Sequence, residues 1–196
     1  MKKLQWDKVR VLVANYCNYK CPFCHNEGQG KTTTKERMSL QSFRRLVDIL
    51  SNQPISEFNI SGGEPFLNED IVDMILYIND NLDCDISCAT NLSLIKPEHI
   101  SVLSGTRIKF NIQFPFATAE AFKQSTVTGN LDRILTNIDL LCAENIQVGL
   151  NTVVQSDDFS SISTLIDFAL ERGLPLKLLP QIGLSGSNQF LNHIRP

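Results

Sequence analysis

Nowhere in the 196 residues does an apolar run approach the roughly eighteen needed to cross a bilayer, and no signal sequence opens the chain. An excess of one charge is missing too: 18 Lys and Arg stand against 21 Asp and Glu, a net charge of −3. That balance makes no case for nucleic-acid or membrane binding. The six cysteines lack the secretory context that a disulfide framework needs. No fourth cysteine accompanies the first three, and none follows Cys142. With 42% hydrophobic residues, the chain reads as one soluble globular domain with a substantial core.

What is present is concentrated early. Cys17-Asn18-Tyr19-Lys20-Cys21-Pro22-Phe23-Cys24 places three cysteines at a C-x3-C-x2-C spacing, directly after an apolar strand-like run at 9–14. Thiolates are the soft ligands that iron–sulfur clusters select, and three of them hold three corners of a cubane. The open iron then suits a cluster that works on a bound molecule rather than one that only passes electrons. Structural zinc is the alternative, with His25 or Cys84 as fourth ligand, although His25 follows Cys24 too closely for easy chelation of one tetrahedral ion. Ordinary unligated cysteines are the third reading.

A second motif follows about 40 residues on. Phe58-Asn59-Ile60-Ser61 alternates like a strand and runs into Gly62-Gly63-Glu64-Pro65, whose glycines let a ligand approach bare backbone. A plain turn is the simpler reading of that tetrapeptide. Together, the two motifs resemble the signature of the radical S-adenosylmethionine (radical SAM) superfamily: CxxxCxΦC after the first strand and GGE after the second. In motif wording the chain is most similar to relatives of the molybdenum-cofactor GTP-cyclising enzyme, through Cys-His-Asn-Glu-Gly and the Met-Ser-Leu…Ser-Gly-Gly-Glu-Pro-Phe-Leu run. The Cys-His-Asn string also occurs in glycyl-radical activases, and Cys-Asn-Tyr-Lys-Cys is similar to viperin-like nucleotide enzymes.

The elements alternate. Strands are expected at 9–14, 57–61, 85–91, 107–114, 146–153 and 175–182. Helices are expected after Ser39, from Asn68 to about Asn81, and at 97–103, 118–124, 130–144 and 160–172. This argues an α/β fold with a parallel sheet. Six units fall short of the set that closes a TIM barrel, and the resemblance implies the same (βα)6 partial, three-quarter barrel with parallel strands. Residues 1–182 are taken as the core domain and 183–196 as a short C-terminal tail. The first strand is expected to be buried on both faces. Residues 26–38, polar and glycine-bearing, read as a mobile substrate-covering loop or as disorder.

Alternation inside the strands carries function. Asn59 and Ser61, Ser87, Ala89 and Asn91, and Lys109, Asn111 and Gln113 fall on one face, with Phe, Ile and Cys on the other. A closed barrel fills its interior with branched apolar residues, so a polar inner face implies a wet or ligand-filled cavity, unless some of these residues line an exposed edge. Cys84 and Cys88 lie about 13 Å apart on a regular strand, too far to share a cluster. With Cys142 they read as buried apolar cysteines.

The resemblance implies that Cys17, Cys21 and Cys24 ligate a [4Fe–4S] cluster whose fourth iron binds S-adenosyl-L-methionine. It implies that Gly62, Gly63 and Glu64 meet the methionine amino group through backbone and carboxylate, and that Phe23 packs near the adenine unless it is simply a core aromatic. Asn91, Asn111, Gln113 and Asn151 are candidates for cofactor carboxylate or ribose contacts. Relatives carry Ser or Asp where Gln113-Phe114-Pro115 stands, and an Arg where only Lys123 is near. Reductive cleavage would give a 5′-deoxyadenosyl radical that abstracts hydrogen from a small-molecule or peptide substrate. The missing cysteines after Cys142 argue against GTP cyclisation. A glycyl-radical activase and a non-catalytic, metal-stabilised binding module are the other readings. Residues 1–45 carry a charge of +7 and the rest −10, which suits an acidic electron donor of flavodoxin or ferredoxin type, or merely a solvated arm. Free thiols and an oxygen-sensitive cluster point to the cytoplasm.

Overall fold

The computed structural model describes residues 7–24, 34–154 and 159–180. Strands and helices alternate: β1 (Lys8–Leu12), α1 (Leu40–Leu50), β2 (Glu57–Ser61), α2 (Ile71–Asn81), β3 (Asp85–Thr90), α3 (Pro97–Leu103), β4 (Ile108–Gln113), α4 (Ala119–Thr126), α5 (Leu131–Ala143), β5 (Gln147–Val154), α6 (Phe159–Glu171) and β6 (Leu176–Pro180). The strands are parallel throughout and their order in the sheet follows the chain, so β1 and β6 are the edges. This is the (βα)6 partial TIM barrel that the alternation and the resemblance both predict.

β4 shows why the sheet has two unlike faces. Ile108, Phe110 and Ile112 are buried beneath the helices, while Lys109, Asn111 and Gln113 are half-buried on the inner face. Phe58 of β2 packs on Phe43 of α1, ring centroids 5.8 Å apart. Each such side chain, fully buried, contributes about 1.5–3 kcal/mol. α1 is capped as expected, the Ser42 N–H donating to Ser39 Oγ at 3.2 Å.

Parallel register stacks the inner face in layers. Arg10, Asn59, Ser87, Lys109 and Gln147 lie side by side across five strands. One layer nearer the strand C-termini, Ala89, Asn111 and Gly149 align, and beyond them Gln113, Asn151 and Lys177. The lower layers are tied together by polar bonds. Lys8 pairs with Glu57 at 3.0 Å and holds its carboxyl below the usual range. Asn59 Nδ2 donates to Ser87 Oγ, which donates to Glu57 Oε1, at 2.7 and 3.1 Å.

Four expectations need correction or comment. β1 is not buried on both faces: Leu12 is 52% exposed and Arg10 is exposed on the inner side, because the inner face meets no helix. α2 begins at Ile71 rather than Asn68, whose amide instead donates to Val13 O and Met38 O at 3.1 and 2.9 Å. Cys84 and Cys88 are buried, but Cys142 is exposed, since it lies off the Ile134–Ile138–Leu141 stripe that faces the core. In the segment read as a covering loop, residues 26–33 lie outside the described part. Residues 34–38 are pinned, with Met38 N donating to Val13 O at 3.0 Å and Arg37 bridging Ala14. The expected tail also lies outside the described residues. Among the described residues no helix is long and apolar enough to cross a membrane.

Candidate cofactor site at the strand tips

The cysteine loop leaves β1 and is held at several points. Val13 N donates to Ser61 O, Gly63 N to Ala14 O, and Glu64 N to Tyr16 O, at 2.9, 2.9 and 3.0 Å. The Gly62-Gly63-Glu64 backbone therefore continues the β1–β2 ladder past both strand ends. Gly62 has φ of +149°, and a Cβ there would stand 2.5 Å from Ala14 O. From the other side, Lys20 N donates to Thr126 O at 3.3 Å and Thr128 Oγ1 to Asn18 O at 3.0 Å. Cys21 is buried, Cys17 and Cys24 are half-buried, and all three are free thiols.

Glu64 is fully buried. Its Oε1 accepts from Phe66 N and Thr90 Oγ1 at 3.1 and 2.7 Å, and its Oε2 accepts from Asn91 N at 2.8 Å. Burial nonetheless pushes this carboxyl up, against those bonds. The carboxylate expected to meet a cofactor amino group is thus engaged inside the protein, clamping the tip of β3. What the motif presents outward is the half-buried backbone of Gly62 and Gly63.

Asn91 is buried as well and turned toward the cysteines. Its Nδ2 donates to Asn18 Oδ1 at 2.9 Å and to Cys17 Sγ at 3.7 Å, and its Oδ1 accepts from Ser93 N and Ser93 Oγ at 3.0 and 2.6 Å. Asn91 follows Thr90, the last β3 residue in register with β4, and Gln113 at the end of β4 pairs with Asn151. Among the described residues Gln113 Nε2 is buried without a hydrogen-bond partner. Asn111 lies a layer lower, over Gly149, where a Cβ would stand 3.5 Å from Asn111 Oδ1 and from Lys109 Cε. Phe23 belongs to the buried core, where it packs with the cysteine loop.

Sequence reasoning points to these strand tips but does not single out Asn18, Thr90 and Ser93. The signal was present: Thr90-Asn91-Leu92-Ser93 is an ST turn overlapping an Asx turn, with Leu92 N donating to Thr90 Oγ1 at 2.9 Å.

The donor set fits a cluster. Burial raises the Cys17 thiol and pushes Cys21 up to about 12, with the neighbouring sulfurs adding to both. Two such neighbouring thiols become thiolates together most readily around a cation. Among the described residues no three His, Cys, Asp or Glu converge as ligands of one metal ion.

The family model described as "Radical SAM superfamily" matches residues 11–169. The chain belongs to the radical SAM superfamily. Enzymes of this superfamily use a [4Fe–4S] cluster and S-adenosylmethionine. A GTP 3′,8-cyclase of Clostridium perfringens strain 13 is 27% identical over 187 residues, 94% of this chain and 58% of that protein. A probable GTP 3′,8-cyclase of Thermococcus kodakarensis is 29% identical over 172 residues, 87% of this chain and 55% of that one. The similarity to GTP-cyclising radical SAM relatives seen in the motifs is therefore borne out. The chain spans between half and three-fifths of these relatives' length. The cysteine count after Cys142 consequently has no bearing on GTP cyclisation, and that expectation is withdrawn. In fold the chain is similar to Streptococcus suis SuiB solved with S-adenosylmethionine, at a TM-score of 0.81 and 17% identity, covering 93% of this chain and 42% of that one.

Proposed function

We propose that this radical SAM chain holds a [4Fe–4S] cluster on Cys17, Cys21 and Cys24, cleaves S-adenosylmethionine there, and abstracts hydrogen from a small anionic molecule. The carrying observation is the joint placement of three free sulfurs with the half-buried Gly62–Gly63 backbone, above a polar inner wall. When bound, the cluster would supply the electron for reductive cleavage of the cofactor's carbon–sulfur bond, yielding methionine and a 5′-deoxyadenosyl radical. The chain's own part is to bind, orient and exclude water. Gly62 and Gly63 offer backbone to the methionine end, while Glu64 serves from within by fixing the tips of β2 and β3. The unpartnered Gln113 donor and the neighbouring Asn151 face the side where ribose oxygens would lie, with Asn111 a layer below. Phe23 backs the loop as a core aromatic.

The substrate class rests on the inner wall. Lys109 lies in one layer with Ser87, Asn59 and Arg10, the Arg10 Nη2 donating to Ser61 Oγ at 2.8 Å, and Lys8 pairs with Glu57 beneath them. A wall of this composition suits an anionic group. Relatives named for GTP point the same way, whereas a fold neighbour solved with a precursor peptide keeps a peptide as second reading. The reaction needs a low-potential donor of flavodoxin or ferredoxin type and a reducing compartment such as the cytoplasm.

Anaerobic reconstitution tests this directly. About four irons and four sulfides per chain are expected, and reduced protein should form 5′-deoxyadenosine from S-adenosylmethionine. Zinc, or no metal, or no cleavage under reduction would overturn the proposal. Cys21→Ala should lower iron content and bring 5′-deoxyadenosine to background. GTP is the first anionic probe, read as its consumption alongside 5′-deoxyadenosine. Among the inner-wall cations, Lys109→Ala should raise KM for an anionic substrate roughly tenfold, the loss of one charge-assisted hydrogen bond of about 1.5 kcal/mol, with kcat little changed.

A further inference from the structure

We propose that the Asn91 carboxamide is a positioning residue for the cluster: its Nδ2 hydrogen bond fixes the Cys17 sulfur and raises the reduction potential of the cluster that this sulfur holds. The inference rests on the cysteine assignment above and departs from the expectation that Asn91 contacts the cofactor carboxylate.

The orientation of the amide follows from its partners. Ser93 N can only donate, at 3.0 Å, so the atom facing it is Oδ1 and the other is Nδ2. One hydrogen of Nδ2 goes to Asn18 Oδ1 at 2.9 Å, which leaves the second for Cys17 Sγ at 3.7 Å. Asn18 is itself fixed, its Nδ2 donating to Ser93 Oγ at 2.8 Å and its carbonyl accepting from Thr128. Behind the amide, Glu64 anchors the Asn91 backbone. A continuous line thus runs from the Gly-Gly-Glu motif through Asn91 to a sulfur of the cysteine motif. Tyr19 N supplies Cys17 with a second donor at 3.3 Å.

Such a bond acts on charge as well as position. Asn91 is 6% exposed and Cys17 half-buried, so the bond acts in a lower effective dielectric than that of bulk water. A donor aimed at a thiolate stabilises the more negative, reduced cluster and so raises its potential. The residue then sets how readily an external donor loads the cluster, against how strongly the loaded cluster reduces a sulfonium.

The test uses the whole chain, reconstituted anaerobically, as wild type, Asn91→Leu and Asn91→Asp, with iron and sulfide measured before redox titration by electron paramagnetic resonance. Asn91→Leu should lower the reduced-to-oxidised ratio at fixed potential about tenfold, a shift of about 59 mV to the negative for a one-electron couple. Asn91→Asp, which keeps the acceptor for Ser93 but sets a carboxylate oxygen beside the sulfur, should shift further. Fully loaded variants that titrate like wild type would overturn the proposal and leave the cysteine assignment standing. A wild-type protein that takes up no iron would overturn both. Should the variants fail to fold, selective 15N-asparagine labelling of the reduced Asn18→Ser protein decides: a nitrogen coupling at the cluster supports the bond, and its absence overturns it.

Discussion

Gly62→Ala should cost about 3–5 kcal/mol and strip the protein of most of its iron. A methyl there would stand 2.5 Å from Ala14 O, a backbone atom with no rotamer to turn aside. The φ of +149° adds strain for any residue with a Cβ. Overpacking alone costs about 1–3 kcal/mol. Relief comes only by parting the cysteine loop from the Gly-Gly-Glu backbone, at the expense of the Gly63 and Glu64 hydrogen bonds to it, each worth about 0.5–1.5 kcal/mol. For a domain of this size the melting temperature should fall by roughly 10 °C. Gly105→Ala is the control: φ is +80° but no atom lies within 4 Å of the added Cβ, so only about 1 kcal/mol is expected. Equal losses at the two positions would show that the close approach at Gly62 does not matter.

Glu64→Ala should destabilise by about 3 kcal/mol or more, since Phe66 N, Thr90 Oγ1 and Asn91 N lose their acceptor in a site without solvent. Glu64→Gln keeps the volume but turns one acceptor into a donor, and about 1–3 kcal/mol is expected. Iron content should fall in both, because Asn91 and Cys17 depend on the same strand tip. The sign of the pH dependence is fixed by burial, which raises this carboxyl above its unfolded value. The folded state then holds the proton more tightly, so the carboxyl's contribution is full below its unfolded pKa and declines as pH rises through the folded one. The advantage of wild type over Glu64→Gln in thermal melts should therefore shrink from acidic to neutral pH. An advantage that grows would show that the three donors outweigh desolvation.

The fold was legible wherever the deciding interactions were local or periodic. β4 alternates residue by residue as its sequence does, and Ser39 caps α1 through a bond spanning three residues. Expectations failed where a distant partner decided. Asn68-Glu69-Asp70 reads as a helix start, yet the Asn68 amide is captured by Val13 and Met38, and Glu69 pairs with Arg37 at 2.7 Å. Both motifs were visible, but the inward role of Glu64 was not, because its partners Thr90 and Asn91 lie 26 and 27 residues away. Cys142 shows the limit of helical spacing: it shares a stripe with Leu135 at the margin of the buried face, where Leu135 is half-buried and Cys142 exposed.

The two unlike faces of β4 have an evolutionary consequence. Lys109, Asn111 and Gln113 touch none of the volume filled by Ile108, Phe110 and Ile112, so exchanges on one side leave the packing on the other undisturbed. Gly149 adds slack on the polar inner face, where an extra methyl would meet only ordinary contacts. A lineage carrying this architecture can retailor what it admits to its interior while its helical shell stands still, and repertoire can drift without a toll on folding.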